Sequence, residues 1–173
     1  YTQDGSVTSK VAYYNFGSAG EKVADHQVVL EEYKGSLMAE GFFLSQKVSA
    51  VVGDNILTIY QGEDIPKQLT QIKIDKEIKS VFHDNRYIGL ILKNEGKGGY
   101  ELRLYNLSGK QILSKDFKGN YSNVKMSDSQ IIMYDENNCC IFLKSGVQKF
   151  DGEMETNIRE IFPIMGVNKY IVM

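Results

Sequence analysis

The groups most able to do chemistry in this chain are few, and their spacing decides what they could do. His83 and Asp84 are neighbours in the run His83-Asp84-Asn85-Arg86. A carboxylate beside an imidazole can orient the ring for proton transfer. A triad also needs a placed nucleophile, and no motif supplies one, so the run reads as a polar turn. His26, in Asp25-His26-Gln27, carries less signal still. Cys139 and Cys140 are adjacent. In a strand their side chains point to opposite faces, which makes a mutual disulfide awkward and leaves two packed thiols, one on each face. Zinc wants three or four ligands, and two dispersed histidines with vicinal cysteines do not offer the usual spacings. Neither a metal nor a cofactor is expected.

Carboxylates form the second group. Asp135-Glu136-Asn137-Asn138 and Glu153-Met154-Glu155 are short acidic connections, and Asp4, Asp54, Asp75 and Glu95 stand in similar polar turns. Together Asp4, Asp54, Asp75, Glu95, Asp135, Glu136, Glu153 and Glu155 make a candidate binding face. Several oxygens in reach of one another suit calcium or a cationic partner. The plain alternative is solvated turns. The spacing of an EF-hand is absent, and Gly96-Lys97-Gly98-Gly99 is neither a phosphate loop nor a dinucleotide fingerprint.

Composition narrows the classes. Hydrophobic residues make up 42% of the 173 positions and charged residues 24%, with 2 prolines and no low-complexity tract, so the chain reads as folded. A net charge of −2 with scattered Lys and Arg argues against nucleic acid and against a polybasic membrane patch. No apolar run approaches the roughly 20 residues of a membrane span. The chain begins at Tyr1 without a signal-peptide pattern and stops within an apolar run, Lys169 to Met173, and so reads as a cut piece of a longer protein.

The elements that must carry these residues repeat. "LYNLSGKQI", from Leu104 to Ile112, reads as strand, tight turn, strand, and similar phrases begin at Tyr14, Tyr60 and Leu143. The spacings suit blades of about 40 residues with four strands each. Apolar runs at Val48–Val52, Tyr87–Leu92, Gln130–Tyr134 and Lys169–Met173 recur at a similar period, too short and too rich in β-branched residues for helices. Each should lie in a sheet buried on both faces. The clearest unit places strands at Ile78–His83, Tyr87–Lys93, Tyr100–Asn106 and Lys110–Phe117, with the third alternating as a half-buried outer strand would. Gly109 and Gly146 fall in tight turns. The expected architecture is all-β: a partial blade at 1–35, whole blades at 36–77, 78–120 and 121–157, and a partial blade at 158–173.

Such a set makes a single β-propeller domain or fragment, either a closed four-bladed ring or an arc of a larger propeller. Within the first partial blade, Val11–Phe16 and Val23–Tyr33 read as strands, with an amphipathic helix over 21–32 as the alternative. Phe42, Phe43, Phe82, Met126 and Phe162 read as core between blades. Tyr13 and Tyr105 read as exposed residues able to stack on sugar rings or to pack on outer strands.

The phrase "YNLSGKQI", with its aromatic third strand and Ser-Gly turn, resembles the blades of bacterial propellers of the quinoprotein-like and WD-repeat-like sort. More narrowly, the chain is similar to the propeller region of a family of Gram-positive bacterial proteins in which a transmembrane helix precedes an extracytoplasmic propeller. Trp is absent, so the Trp-centred docking motif of quinoprotein dehydrogenases is missing, and with it support for a quinone. The Gly-His and Trp-Asp marks of WD repeats are missing too. The resemblance implies an outward-facing, membrane-anchored domain whose anchor and remaining blades lie outside this chain. The expected function is a non-enzymatic module binding a protein or cell-envelope ligand. A propeller enzyme, either a carboxylate hydrolase or a cofactor oxidoreductase, and a passive part of a larger propeller are the alternatives.

Overall fold

Alternating apolar residues and glycine turns build antiparallel meanders throughout the chain. The computed structural model describes residues 6–17, 22–96, 98–164 and 168–173. Three sheets have four strands each: β3 (Met38–Ser45), β4 (Val48–Gly53), β5 (Ile56–Gln61) and β6 (Lys67–Lys73); β7 (Ile78–His83), β8 (Tyr87–Lys93), β9 (Tyr100–Asn106) and β10 (Gln111–Phe117); β11 (Asn123–Met126), β12 (Gln130–Asp135), β13 (Asn138–Leu143) and β14 (Gln148–Glu153). Within each sheet, neighbours in sequence are neighbours in space. Two-stranded sheets are formed by β1 (Thr8–Tyr14) with β2 (Gln27–Lys34), and by β15 (Ile161–Pro163) with β16 (Tyr170–Val172).

The chain divides into two compact units. One comprises residues 1–78, 85–87 and 105–110, and the other residues 79–84, 88–104 and 111–173.

In the first unit, β1 and β2 join the sheet β3 to β6 through tyrosines. Tyr33 and Tyr60 share a short hydrogen bond between their hydroxyls, and the Tyr13 hydroxyl meets Ser49 Oγ at 2.8 Å. Val51 is buried among these rings, and Val11, Met38 and Ile56 pack around them. Burial, reinforced by the bond to Tyr33, pushes the Tyr60 phenol far above its ordinary pKa. In the second unit, Ile132, Tyr134, Cys139 and Ile141 of the sheet β11 to β14 form one apolar cluster with Ile158 and Ile161. The β16 residue Tyr170 is held from the same sheet by Lys149 Nζ at 2.8 Å and by Gln130.

Several sequence expectations change. The second strands β4, β8 and β12 are buried as expected, but so are the third strands. The strand Tyr100–Asn106 is therefore central in its sheet, not half-exposed, and Tyr105 is buried at 3% exposure. Its polar residues are buried with it. Glu101, 5% exposed, takes a two-pronged contact from Arg103 at 2.7 and 2.9 Å and a hydrogen bond from Ser114 Oγ at 2.7 Å. Two charges so placed are tolerable because each satisfies the other. The first and fourth strands carry the half-exposed patterns instead.

The stretch Val23–Tyr33 is part helix, part strand: a 3-10 turn covers Val23–His26 and β2 begins at Gln27. The register explains it. Tyr14 pairs with Gln27 and ends the ladder, the Asn15 N–H still reaches the His26 carbonyl at 2.8 Å, and the Asp25 carboxylate accepts the Lys22 N–H at 3.1 Å and closes a turn. The Tyr14 phrase is thus no tight hairpin, and its glycine at 20 lies outside the described residues. Phe82 is buried, whereas Phe43 is 70% and Phe162 42% exposed and neither is core.

The Tyr105 and Leu143 phrases do share one turn. The Gly109 N–H donates to the Asn106 carbonyl at 2.9 Å and the Gly146 N–H to that of Leu143 at 2.8 Å, with glycine φ of +80° and +92°. Asn106 Oδ1 adds bonds from the N–H groups of Ser108 and Lys110. A Cβ at 109 would lie 2.4 Å from Thr70 Cγ2. Gly109→Val should therefore lower stability by about 1–2 kcal/mol or more, from left-handed strain before the clash is counted. Urea denaturation reads this directly. Unchanged midpoints for both Gly109→Val and Gly146→Val would overturn the assigned turn.

Thr58, at the centre of β5, is fully buried, and its hydroxyl has no hydrogen-bond partner among the described residues. A buried hydroxyl without a partner costs roughly 1–3 kcal/mol. Thr58→Val keeps the shape and removes that cost, so the urea midpoint should rise by the equivalent of about 1 kcal/mol. A lower midpoint would mean that the hydroxyl is satisfied.

Candidate functional site

The acidic turns are placed by strand register. In the sheet β3 to β6, Asp54 occupies the turn between β4 and β5, and the Ile74 N–H beyond β6 bonds the Asn55 carbonyl at 2.8 Å. Asp75 therefore leaves the sheet at the same end as Asp54. One Asp54 oxygen is committed inward, accepting the Leu37 N–H at 3.1 Å. In the sheet β11 to β14, Asn138 pairs with Glu153, and the Met154 N–H bonds the Asn137 carbonyl at 2.7 Å. Asp135 and Glu136 thus share an end with Glu153 and Glu155. Glu136 holds φ +46°, unusual for a residue with a side chain and here set by the two-residue turn between paired Asp135 and Asn138.

Glu95 lies in the turn between β8 and β9 and is exposed, as are Asp54, Asp75, Glu136, Glu153 and Glu155; Asp135 is half-buried. Asp4 lies outside the described residues. The structure therefore brings Asp54 to Asp75, and Asp135 and Glu136 to Glu153 and Glu155, each within its own sheet. Among the described residues no three His, Cys, Asp or Glu side chains gather to hold a metal ion.

The other chemical candidates are built into packing. Asp84 is paired with Lys144, Nζ to Oδ2 3.0 Å, with both side chains largely buried. That ammonium pairs with the carboxylate beside His83, which is itself exposed, in keeping with the polar turn read from the sequence. His26 Nδ1 sits 3.3 Å from the Asn15 carbonyl and its ring lies 5.1 Å from that of Phe16, a loop brace. Glu160 is paired with Lys125 and accepts from the Tyr134 hydroxyl at 3.0 Å; Lys125 also lies 4.1 Å from the Phe162 ring centroid. The Lys125 hydrogen bond and then that of Tyr134 hold the Glu160 carboxyl below its ordinary pKa.

Sequence reasoning missed one concave feature. In the second unit, Tyr100, Phe117 and Tyr121 stand ring by ring, with centroids 5.7 and 5.9 Å apart and planes inclined by 25° and 29°. They line a cleft of about 190 Å³ together with Lys79, Ser80, Asn120 and Ser122. Its residues come from all four strands of one sheet and from the connection leading to β11, so no local motif could reveal it. The only signal in the chain was aromatic residues flanking the Gly119-Asn120 turn.

A family model described as "Family of unknown function (DUF5711)" matches residues 1–173. The chain belongs to this family. No curated protein matches this DUF5711 chain. Solved structures do. A eukaryotic initiation factor is 12% identical with a TM-score of 0.55, over 75% of this chain and 38% of that one. A functionally unknown protein from Desulfotomaculum acetoxidans DSM 771 is 15% identical with a TM-score of 0.51, over 70% and 41%. A proposed 6-phosphogluconolactonase from Bacteroides fragilis NCTC 9343 is 10% identical with a TM-score of 0.53, over 84% and 49%. The DUF5711 chain spans less than half the length of each of these three. At such identities the likeness is one of fold: its four-stranded sheets match propeller blades.

The two thiols provide a check on the packing. Cys139 and Cys140 lie on opposite faces of β13, and both are fully buried, because this strand is covered on each side. Burial, and after it the Asp151 carboxylate, pushes Cys139 up to about 11 and Cys140 up to about 12. Thiolate is the reactive form, so native protein at pH 8 should react with a disulfide reagent far more slowly than a free thiol. Two equivalents should appear at once on denaturation. Rapid native labelling of either cysteine would show that the strand is open to solvent.

Proposed function

We propose that this chain is a non-enzymatic recognition module: propeller blades that present acidic turns to a cationic protein or cell-envelope partner. The observation that carries this is the pairing of acidic turns at one end of a sheet, Asp54 with Asp75 and Asp135–Glu136 with Glu153–Glu155, on connections fixed by backbone hydrogen bonds. Turns on a rigid scaffold are where folds of this kind place recognition. Glu101 with Arg103, Asp84 with Lys144 and Glu160 with Lys125 form ion pairs within the second unit and lie outside these turns.

The setting we propose is the outer face of a Gram-positive membrane, with the anchor elsewhere in the protein. The support is the resemblance of the blades to those of anchored extracytoplasmic propellers. Among the described residues no helix is long and apolar enough to cross a membrane. Membership of an arc within a larger propeller is supported by coverage of only 38–49% of three matched solved chains.

A variant carrying Glu95→Gln, Asp135→Asn and Glu155→Gln tests the charged face, with poly-L-lysine as the cationic probe in a binding titration across ionic strength. A second variant, Glu63→Gln, Asp64→Asn and Asp128→Asn, removes equal charge from turns at the other strand ends. The first should bind more weakly and with a shallower salt dependence than the parent, as screening beyond a Debye length of about 10 Å predicts. The second should stay near the parent. Equal losses in both would reduce the effect to net charge and overturn the assigned face.

A further inference from the structure

We propose that the cleft lined by Tyr100, Phe117 and Tyr121 binds a neutral pyranose ring, one residue of a glycan. The site is independent of the acidic turns, since none of their seven described carboxylates lines it.

Its construction begins at the end of β10. Phe117 is buried and also meets Phe142 edge-on, with centroids 6.5 Å apart at 61°, which fastens the middle ring to the core. Tyr100 and Tyr121 flank it and are half-buried. The Tyr121 hydroxyl donates to Asp151 Oδ1 at 3.2 Å, so its ring is tied at the far end as well. Position 119 has to be small: a Cβ there would lie 2.3 Å from Tyr121 Cζ. The start of β9 is held as well, because the Asn94 side chain donates to Asp116 at 2.9 Å and the Asn94 N–H to the Gly99 carbonyl at 3.0 Å. Nothing needs to rearrange to form the aromatic wall.

The shape and the chemistry then select the ligand. A cavity of about 150 Å³ holds a benzene ring, so about 190 Å³ admits one six-membered ring and little more. The rest of the lining is mostly polar, with the Lys79 side chain, the Asn120 amide and the hydroxyls of Ser80 and Ser122, which would leave a flat hydrocarbon with unmatched donors and acceptors at its edge. A pyranose has the matching pattern. Its axial C–H groups form an apolar face suited to the electron-rich face of an aromatic ring, and its hydroxyls form a rim of donors and acceptors for an amide and hydroxyls.

Saturation-transfer NMR with chitotetraose, cellotetraose and maltotetraose at millimolar concentration tests this. Because the chain has no Trp, tyrosine emission gives a second readout of the same titrations. At least one oligosaccharide should receive saturation. Tyr121→Ala should weaken that binding by about tenfold or more, the scale of one lost ring contact. Gly119→Ala should weaken it as well, by displacing the Tyr121 ring. Tyr121→Phe keeps the ring and should retain binding, which separates stacking from the phenol's bond to Asp151; unchanged thermal unfolding identifies the folded variants. The variant Glu95→Gln, Asp135→Asn, Glu155→Gln should bind sugar like the parent, so loss of cation binding and loss of sugar binding are read separately. No saturation transfer to any of the three sugars, or parental affinity in Tyr121→Ala, would overturn the proposal.

Discussion

Burial of the two middle strands on both faces is the constraint on which the rest of this structure depends. In an antiparallel meander of four strands, the outer strands can leave one face to water, but the second and third are covered above and below. Their backbone groups are satisfied by the ladder, so the difficulty falls on side chains: a polar group there finds a partner within the protein or, like the Thr58 hydroxyl, costs stability. The pairing of Glu101 with Arg103 and Ser114 in β9, and the bond between Tyr33 and Tyr60 in β5, are two such solutions. The cysteines meet the same constraint differently, as small apolar groups that stay protonated.

The constraint also explains where chemistry can be presented. Side chains on the middle strands are consumed by packing, which leaves the strand ends and the connections between sheets. Acidic residues collect at such connections because a short polar turn stays solvated there at little cost. The aromatic cleft arises at the same kind of place. Where the chain leaves β10, a glycine lets a tyrosine fold back beside the last phenylalanine of the strand, and the connection to β11 closes the wall.

Long-range side-chain bonds fasten the sheets within each unit. In the first, the tyrosines hold the hairpin of β1 and β2 to the sheet β3 to β6. In the second, Lys144 reaches Asp84 and Tyr170 reaches Gln130, while Ile158 and Ile161 extend the core of the sheet β11 to β14 to β15. These contacts resemble one another in energetics more than in sequence. Those of the tyrosines and Lys144 place a polar atom at the end of a long, mostly apolar side chain, so that burial and hydrogen bonding act together.

The sequence by itself determined the strands and their order. Runs such as Tyr87–Leu92 and Gln130–Tyr134 have a local signature, and the Ser-Gly turns of Ser108-Gly109 and Ser145-Gly146 can be read because only glycine adopts those angles without strain. It also placed most of the acidic turns, since turn residues are local. It could not show that Tyr100–Asn106 is buried on both faces: alternation marks which residues share a face, and only the neighbouring layers decide whether that face meets water. Tyr105 looked exposed for this reason. Nor could it find the cleft, whose walls come from residues 79 to 122 and are brought together by four strands and a crossing connection. Local chemistry fixes a turn or a strand, while a site made by distant side chains exists only after tertiary packing has chosen which faces meet.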